Sequence, residues 1–265
     1  MKKINLPDNT PIYCLKSTEA LVLDDHIKGY FNHGIKINKG DVIIDIGANI
    51  GVFGLRASQE FKEIEIHSFE PVPQIYNVLQ KNKALSNNPN FHAYQMGVGS
   101  KSDAINFTYF PNSPALSTTN PELWEKDKKA FENAVKGSIK NSPDSFWWSF
   151  LIPNFTIPLI ARYLQKGKTV IECEVCTLAH FIAEKNITKI DLLKLDCEGH
   201  EWEVIKGISE SNWPIIKSIV MEVHDIDNRA EKVKTILKAK GFSKITLEKE
   251  KALETTDLVN IYALR

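Results

Sequence analysis

Short apolar runs alternate along the chain with longer amphipathic stretches, and this alternation predicts the fold. The apolar runs lie at residues 42–46, 64–70, 91–98, 169–176, 190–196 and 216–223. Their length and the turn-forming residues around them are typical of buried strands. Helices are predicted after the first two runs, through residues 60 and 85, and at 178–184, 200–207 and 229–240. Strands and helices in this order predict an α/β fold with a mostly parallel, doubly wound sheet.

Several segments stand outside this alternation. Residues 1–40 are mixed and polar, and they are predicted to be an N-terminal extension of a domain at 41–265. Residues 111–168 break the rhythm with a charged, helix-like stretch near 122–140 and with Trp124, Trp147 and Trp148. This pattern predicts a helical insertion, which is either a lid over a site or a packing appendage. Residues 104–110 predict an extra strand, and residues 245–248 and 258–264 a final antiparallel hairpin.

The charge and the cysteine content of the chain limit which binding partners and which cellular compartment we expect. The chain has 33 basic and 33 acidic residues, so no overall field attracts nucleic acid or an anionic membrane. It has neither an apolar signal core near its start nor an apolar run of the roughly 20 residues that span a bilayer. We therefore expect a cytoplasmic protein with reduced cysteines. Cys173 and Cys176 lie on a predicted strand, where residues three apart point to opposite faces, so we interpret them as ordinary strand cysteines.

A glycine-containing turn follows the first predicted strand. It contains Asp45, Gly47, Asn49 and Gly51, and a predicted helix begins behind it. Glycines allow a tight turn and a close backbone approach to a ligand, while the helix N-terminus offers amide donors. Such a turn suits the diphosphate of NAD or the carboxylate of S-adenosylmethionine (SAM), with Asp45 facing the ammonium group of SAM. The three-glycine spacing of many dinucleotide sites is absent, which disfavours a dehydrogenase.

Carboxylates end two more of the predicted strands. Glu70 ends the second strand, where it could accept hydrogen bonds from both hydroxyls of a ribose in NAD or SAM. Asp196, Glu198 and His200 follow the strand at 190–196, at the edge where ligands bind in open α/β folds. Charged groups at such an edge are costly unless they are paired, metal-bound or functional. Glu201, next in the chain, fits a simpler role at the N-terminus of the following helix.

The next strand carries Glu222 within it and His224 at its end. His224 is our first candidate for a general base and Asp196 the second, because both are predicted at the ligand-binding edge. Asp196 and Glu222 would also suit Mg²⁺ as hard oxygen ligands, but no metal site is predicted.

These motifs together resemble the FkbM family of SAM-dependent methyltransferases. The resemblance rests on the residues 45–51 turn, Phe69-Glu70-Pro71, residues 193–201 and Glu222-Val223-His224. The block from Asp196 to Glu201 is its most diagnostic part. A serine-containing segment around Ser117 matches the family loosely, and the stretch at 120–168 departs from it.

The resemblance implies a class I Rossmann-like fold and methyl transfer, usually to a hydroxyl of a natural product or sugar. By position, Asp45, Gly47, Asn49 and Gly51 would hold the methionine part of SAM, Glu70 the ribose, and Val98 the adenine. The acceptor would lie against the residues at the other strand ends and in the insertion: Asp196, Glu198, Glu222, His224 and Ser117.

The acceptor is predicted to be a small molecule or a carrier-tethered group, and the tryptophans of the insertion favour an apolar or tethered one. N-methylation, intramolecular displacement within SAM and a non-catalytic SAM-fold binding protein stay open as alternatives.

Overall fold

The computed structural model describes residues 1–122, 128–140, 149, 151–249 and 257–265. Its strands are β1 (Lys2–Asn5), β2 (Pro11–Cys14), β3 (Val42–Ile46), β4 (Glu65–Phe69), β5 (Phe91–Tyr94), β6 (Gly97–Gly99), β7 (Asp103–Tyr109), β8 (Thr169–Thr177), β9 (Leu192–Leu195), β10 (Ser218–His224), β11 (Lys244–Glu248) and β12 (Leu258–Leu264). Its helices are α1 (Ser17–His26), α2 (Val52–Glu60), α3 (Pro73–Leu85), α4 (Lys128–Lys140), α5 (Ile157–Leu164), α6 (Leu178–Lys185), α7 (Glu201–Lys206) and α8 (Arg229–Ala239).

The central sheet has seven strands in the order β11-β12-β10-β9-β3-β4-β5. Strands β10, β9, β3, β4 and β5 are parallel to one another, and β12 runs antiparallel between β10 and β11. The predicted parallel sheet and the antiparallel terminal hairpin are therefore both confirmed. The parallel strands end at one common edge, which brings the motifs after β3, β4 and β9 together.

Both faces of this sheet are covered by helices. Ile43 of β3 packs in a cluster with Phe53 and Leu79, from α2 and α3. Its neighbour Ile44 points the other way, into a cluster with Leu178 and Leu237 from α6 and α8. Successive side chains of a strand alternate between faces, so an unbroken apolar run is what a doubly covered strand requires.

Two of the predicted strands are arranged differently from the prediction. Residues 91–98 do not form one strand, because β5 ends at Tyr94 and β6 begins at Gly97. β6 leaves the central sheet and pairs with β8, which also pairs with β7 in a separate three-stranded sheet. A Cβ on Gly97 would lie 3.1 Å from Val175 of β8, so glycine permits this close crossing. An apolar run predicts a buried strand but not the partner against which it is buried.

The first forty residues pack into the main core. Ile12 and Cys14 of β2 and Ala20 of α1 are fully buried, in the same cluster as Ile43. Arg56 of α2 binds the Asp24 carboxylate of α1 through two nitrogens, at 2.6 and 2.9 Å. A paired, bidentate contact of this kind fixes the orientation of α1 on the domain. The segment predicted as an extension therefore shares the core of the domain.

The insertion forms a small helical unit of its own. α4 and α5 pack together through a cluster that contains Phe131, Val135, Ile157 and Ala161. Three tryptophans of the insertion lie outside the described residues: Trp124, Trp147 and Trp148. Across the part of the chain that is described, no helix is both long and apolar enough to cross a membrane.

Candidate active site

A cavity opens at the carboxyl edge of the central sheet. Its lining includes Gly47 and Asn49 from the turn after β3, Glu70 after β4, and Asp196, Cys197 and Glu198 after β9. Leu23 of α1 and the insertion residues Pro114, Ala115 and Ser117 close it from the other side. Of the predicted site residues, Gly47, Asn49, Glu70, Asp196, Glu198 and Ser117 therefore meet at one place.

The turn after β3 requires glycine at two positions. Gly47 and Gly51 have φ angles of +77° and +81°, which favour glycine over other residues. A Cβ on Gly47 would lie 1.7 Å from the backbone oxygen of Asp196, so this position also excludes any side chain. Close approach of the two backbones holds the Gly47 turn against the Asp196 loop.

Glu70 is buried at the tip of β4 and held by two backbone amides. Its Oε1 accepts from the amide of Val72 at 2.9 Å, and its Oε2 from the amide of Asn49 at 3.1 Å. Burial raises the pKa of Glu70 to about 7, despite these two hydrogen bonds. Each carboxylate oxygen accepts more than one hydrogen bond, so Glu70 keeps acceptor capacity toward the cavity.

Asp45 lies behind the turn, not in the described lining of the cavity. It is fully buried, its Oδ2 accepts from Ser68 Oγ at 2.9 Å, and its Oδ1 lies 2.9 Å from Lys194 Nζ. Lys194 also donates to the backbone oxygen of Gly47 at 3.0 Å. Burial opposes the charged form of Lys194, but Asp45 and Asp196 outweigh it and raise the pKa of Lys194. Within the described structure, Asp45 thus holds the turn through Lys194.

The N-terminal segment contributes two residues that the sequence patterns did not indicate. Tyr30, in the 3₁₀ turn Ile27–Phe31, donates its hydroxyl proton to Asp196 Oδ2 at 2.7 Å. His26 Nε2 lies 3.0 Å from the same hydroxyl and 3.6 Å from Glu222 Oε2. Because Tyr30 has one proton and gives it to Asp196, Nε2 of His26 must be the donor to Tyr30. His26 and Tyr30 are four residues apart, and nothing in their local sequence links them to β9.

Asp196 and Glu198 are neighbours with opposite pKa shifts. Burial opposes the charge of Asp196, but Lys194, His26 and the Tyr30 hydroxyl prevail and lower its pKa. Burial, together with the charges of Asp196 and Glu222, raises the pKa of Glu198 well above its usual value. Glu198 also has a φ angle of +50°, an uncommon conformation for a residue other than glycine. Besides Glu70, the cavity therefore contains Asp196, which favours the anion, and Glu198, which favours the protonated form.

The remaining predicted residues lie beside the cavity, outside its described lining. His224 is 5% exposed, and burial lowers its pKa to about 4. Its Nδ1 lies 4.0 Å from Glu201 Oε2, and Glu201 itself accepts from the amides of Cys197 and Gly199. The simpler role of Glu201, at the start of α7, therefore agrees with the structure. Val98 is buried in the core with Phe69.

A metal site does not emerge from the described ranges of the chain. No three side chains of His, Cys, Asp or Glu are grouped there as metal ligands would be. The four cysteines are free thiols, which agrees with the interpretation of Cys173 and Cys176 as strand cysteines.

The strand order, the reversed strand β12 and a cavity at the carboxyl edge define a class I methyltransferase fold. The family model for the methyltransferase FkbM domain matches residues 45–244, which is well over half of the chain. The chain belongs to this family and is a methyltransferase.

Similar proteins cover nearly the whole chain. It is 27% identical to 31-O-demethyl-FK506 methyltransferase FkbM of Streptomyces tacrolimicus, over 100% of this chain and 97% of that protein. It is 32% identical to methyltransferase sdnD of Sordaria araneosa, over 89% of this chain and 86% of the relative. AMB antimetabolite synthetase AmbE of Pseudomonas aeruginosa is 27% identical over 89% of this chain, which matches only 11% of that much longer protein.

A solved structure shares the fold. The crystal structure of methyltransferase FkbM from Methylobacillus flagellatus KT aligns with a TM-score of 0.51 at 13% identity. The alignment covers 88% of this chain and 46% of that one, so this chain spans about half of that protein.

Proposed function

We propose that this methyltransferase uses SAM to methylate a hydroxyl group on a natural product, a carrier-bound intermediate or a sugar. The observation that carries the proposal is the position of Glu70, held by two amides in the same cavity as the Gly47 turn and Asp196. A carboxylate with spare acceptor capacity matches the ribose of SAM, a glycine turn matches its methionine part, and an anionic aspartate in the same cavity suits an acceptor hydroxyl.

The residues at the cavity suit the individual chemical groups of SAM. Glu70 would accept hydrogen bonds from the two ribose hydroxyls, because carboxylate oxygens only accept and hydroxyls donate. The turn at Gly47 and Asn49, with the N-terminus of α2 behind it, would face the methionine carboxylate. Asp45 lies in the ion pair behind the turn and would hold it in place for the methionine part, which leaves Asp196, in the lining of the cavity, to act on the acceptor. When bound, SAM supplies an electrophilic methyl group.

Asp196 is also the better candidate for the base. Methyl transfer would form the bond between the acceptor oxygen and the methyl carbon and break the carbon–sulfur bond, with SAH as the leaving group, and the hydroxyl proton must leave the acceptor oxygen. Asp196 favours its charged form and lines the cavity, whereas the pKa of His224 is lowered to about 4 and its side chain lies outside the described lining. We therefore place Asp196 first and His224 second. Glu198 lines the cavity and favours its protonated form, so it would donate a hydrogen bond to an oxygen of the acceptor, while Glu222 would act through its charge on Glu198.

The choice of a hydroxyl acceptor is supported by the relatives. The name of the Streptomyces protein specifies transfer to an oxygen, and the AmbE match lies within a synthetase. Carboxylates in the cavity would also hold a protonated amine, so N-methylation is the second candidate.

Two measurements test the proposal. Calorimetric titration with SAM, S-adenosylhomocysteine (SAH) and NAD is expected to show binding of SAM and SAH but not of NAD. Tritium-labelled SAM, incubated with separate panels of hydroxyl and amine acceptors, is expected to label hydroxyl products. A folded protein that binds neither SAM nor SAH would contradict the proposed cofactor, and labelling confined to amines would replace O-methylation by N-methylation.

The affinity for SAH is expected to depend on pH through Glu70. The pKa of Glu70 is about 7, so its carboxylate is mostly charged at pH 8 and mostly protonated at pH 6. A neutral carboxyl group accepts hydrogen bonds from ribose less well, so we expect Kd to rise about tenfold between pH 8 and pH 6. Calorimetric titrations across this range measure the effect, and Glu70→Gln should remove the pH dependence. A constant Kd for the wild type would show that Glu70 does not titrate there.

Tyr30→Phe is expected to impair the reaction while preserving the fold. The aromatic ring would keep its edge contact with Phe53, but Asp196 would lose its hydroxyl donor and its pKa would rise. A hydrogen bond to a charged group contributes about 1.5–3 kcal/mol, so methyl transfer should fall about tenfold or more. The acidic limb of the profile of rate against pH should also move to higher pH. The rate of SAH release against pH measures both effects, with Tyr13→Phe as the control; an unchanged profile would exclude a role for Tyr30.

A further inference from the structure

Exposed apolar side chains concentrate on the insertion. Among the described residues, the large apolar side chains that are exposed are Met1, Val22, Leu151, Phe155, Leu159, Tyr163 and Val170. Four of them, Leu151, Phe155, Leu159 and Tyr163, recur at every fourth residue. Residues four apart share one face of a helix, so Leu159 and Tyr163 lie on one face of α5, and Phe155 lies in the 3₁₀ turn Asn154–Thr156 immediately before it. We call these four residues the insertion stripe.

Leu159 and Tyr163 of the insertion stripe lie on α5, whose opposite face is already buried. Ile157 and Ala161 of α5 are 5% exposed and pack against α4, whereas Phe155 and Leu159 are 79% and 67% exposed. A helix that is apolar on both sides is normally covered on both sides. The exposed side therefore has the composition of a contact surface and not of a solvated one.

The insertion has an excess of positive charge in a chain whose net charge is zero. Residues 111–168 contain eight basic and five acidic residues. A cavity of about 390 Å³ adjoins the stripe at Leu151, with Lys136 and Lys140 beside the apolar side chains of Ile152 and Ile157. An apolar row with basic neighbours complements a partner that has an apolar row with acidic neighbours.

The insertion stripe is connected to the mouth of the catalytic cavity. Asn112 Nδ2 donates to the backbone oxygens of Tyr163 and Lys166, at 3.0 and 3.2 Å, at the end of α5. Pro114 and Ala115, which follow Asn112 closely in the chain, line the catalytic cavity. A partner seated on the stripe is thus placed beside the entrance to that cavity.

We propose that the insertion stripe docks a small acidic, helical carrier domain that presents the methyl acceptor on a covalent arm. The proposal rests on the proposed function and names the form in which the acceptor arrives. A second copy of this chain would bring like charges together across the stripe. An acidic helical partner avoids that conflict and suits a brief, weak contact of small area.

Fluorescence anisotropy with a labelled holo-acyl carrier protein tests the docking. The wild type is expected to bind it at micromolar Kd, more weakly as the salt concentration rises. The triple variant Phe155→Ser, Leu159→Ser, Tyr163→Ser should weaken binding at least tenfold, and Lys136→Glu with Arg162→Glu should do the same. The matched control, Lys62→Glu with Lys81→Glu, changes two exposed lysines away from the insertion and should bind as the wild type does.

Calorimetric titration with SAH separates this proposal from the proposed function. Both insertion variants should bind SAH as the wild type does, because their changes lie on the surface. If the wild type fails to bind SAH, the proposed cofactor is refuted, and the anisotropy result still decides whether the stripe docks a carrier protein. Three outcomes overturn the docking proposal. They are no binding of the carrier protein, stripe-dependent binding of phosphatidylglycerol vesicles in its place, and a stripe-dependent dimer in sedimentation.

Discussion

Glu70→Ala is expected to lower the affinity for SAM and SAH about 100-fold. Each hydrogen bond to a charged group contributes about 1.5–3 kcal/mol, and the carboxylate is proposed to accept one from each ribose hydroxyl. The loss of two such bonds corresponds to at least two factors of ten in Kd. Calorimetric titration of both ligands measures the change.

Glu70→Ala changes both the stability of the protein and the charge in the cavity, and each effect needs its own control. Glu70→Ala also leaves the amides of Asn49 and Val72 without their carboxylate acceptor, which costs stability. Glu70→Gln keeps one acceptor oxygen and should be better folded, yet still bind SAH more weakly than the wild type. Glu60→Gln, on the exposed end of α2, should change nothing. Full affinity in a folded Glu70→Gln protein would place the ribose elsewhere.

Lys194→Met is expected to destabilise the protein by about 3–5 kcal/mol. Lys194 is buried on β9, with its ammonium 2.9 Å from Asp45 Oδ1. Removing one partner of a buried ion pair leaves the other charge buried without compensation, which costs this amount. The free energy of unfolding from urea titration measures the loss.

Lys189→Met is the matched control for Lys194→Met. Lys189 pairs with Asp191 at 2.8 Å, but half of its side chain is exposed, so the expected change is below about 1 kcal/mol. Adding Asp45→Asn to Lys194→Met should recover part of the stability, because it removes the unpaired charge. Equal losses for Lys194→Met and Lys189→Met would show that the buried pair does not hold the turn.

The sequence predicted the parts of the site that depend on strand ends. Gly47, Glu70 and Asp196 follow apolar runs directly, and parallel strands necessarily bring their carboxyl ends to one edge. Lys194 could also have been recognised, since a lysine inside the apolar run at 190–196 is rarely buried without a partner. That signal would have indicated an ion pair with Asp45, which was predicted to face the cofactor.

Other parts depend on packing between distant segments. Tyr30 and His26 reach Asp196 and Glu222 because α1 lies across the sheet edge, held in part by Arg56. No local pattern in residues 1–40 encodes that arrangement. The same limit explains β6 and β8, whose apolar runs predicted strands correctly but not the separate sheet that they form with β7.

The first and last elements of the fold pack against each other, and this packing determines where the domain could be cut for insertion into a larger protein. The Tyr262 hydroxyl donates to the backbone oxygen of Gly29 at 3.1 Å, and His33 Nε2 lies 2.9 Å from Glu248 Oε2. The family match at 45–244 contains neither end, so it omits Tyr30 and the strand β12 between β10 and β11. A module cut at those boundaries would lose Leu23 from the wall of its cavity, and β10 would lose the strand that pairs with its outer edge. Splice junctions in an engineered synthetase therefore belong outside the span from β1 to β12.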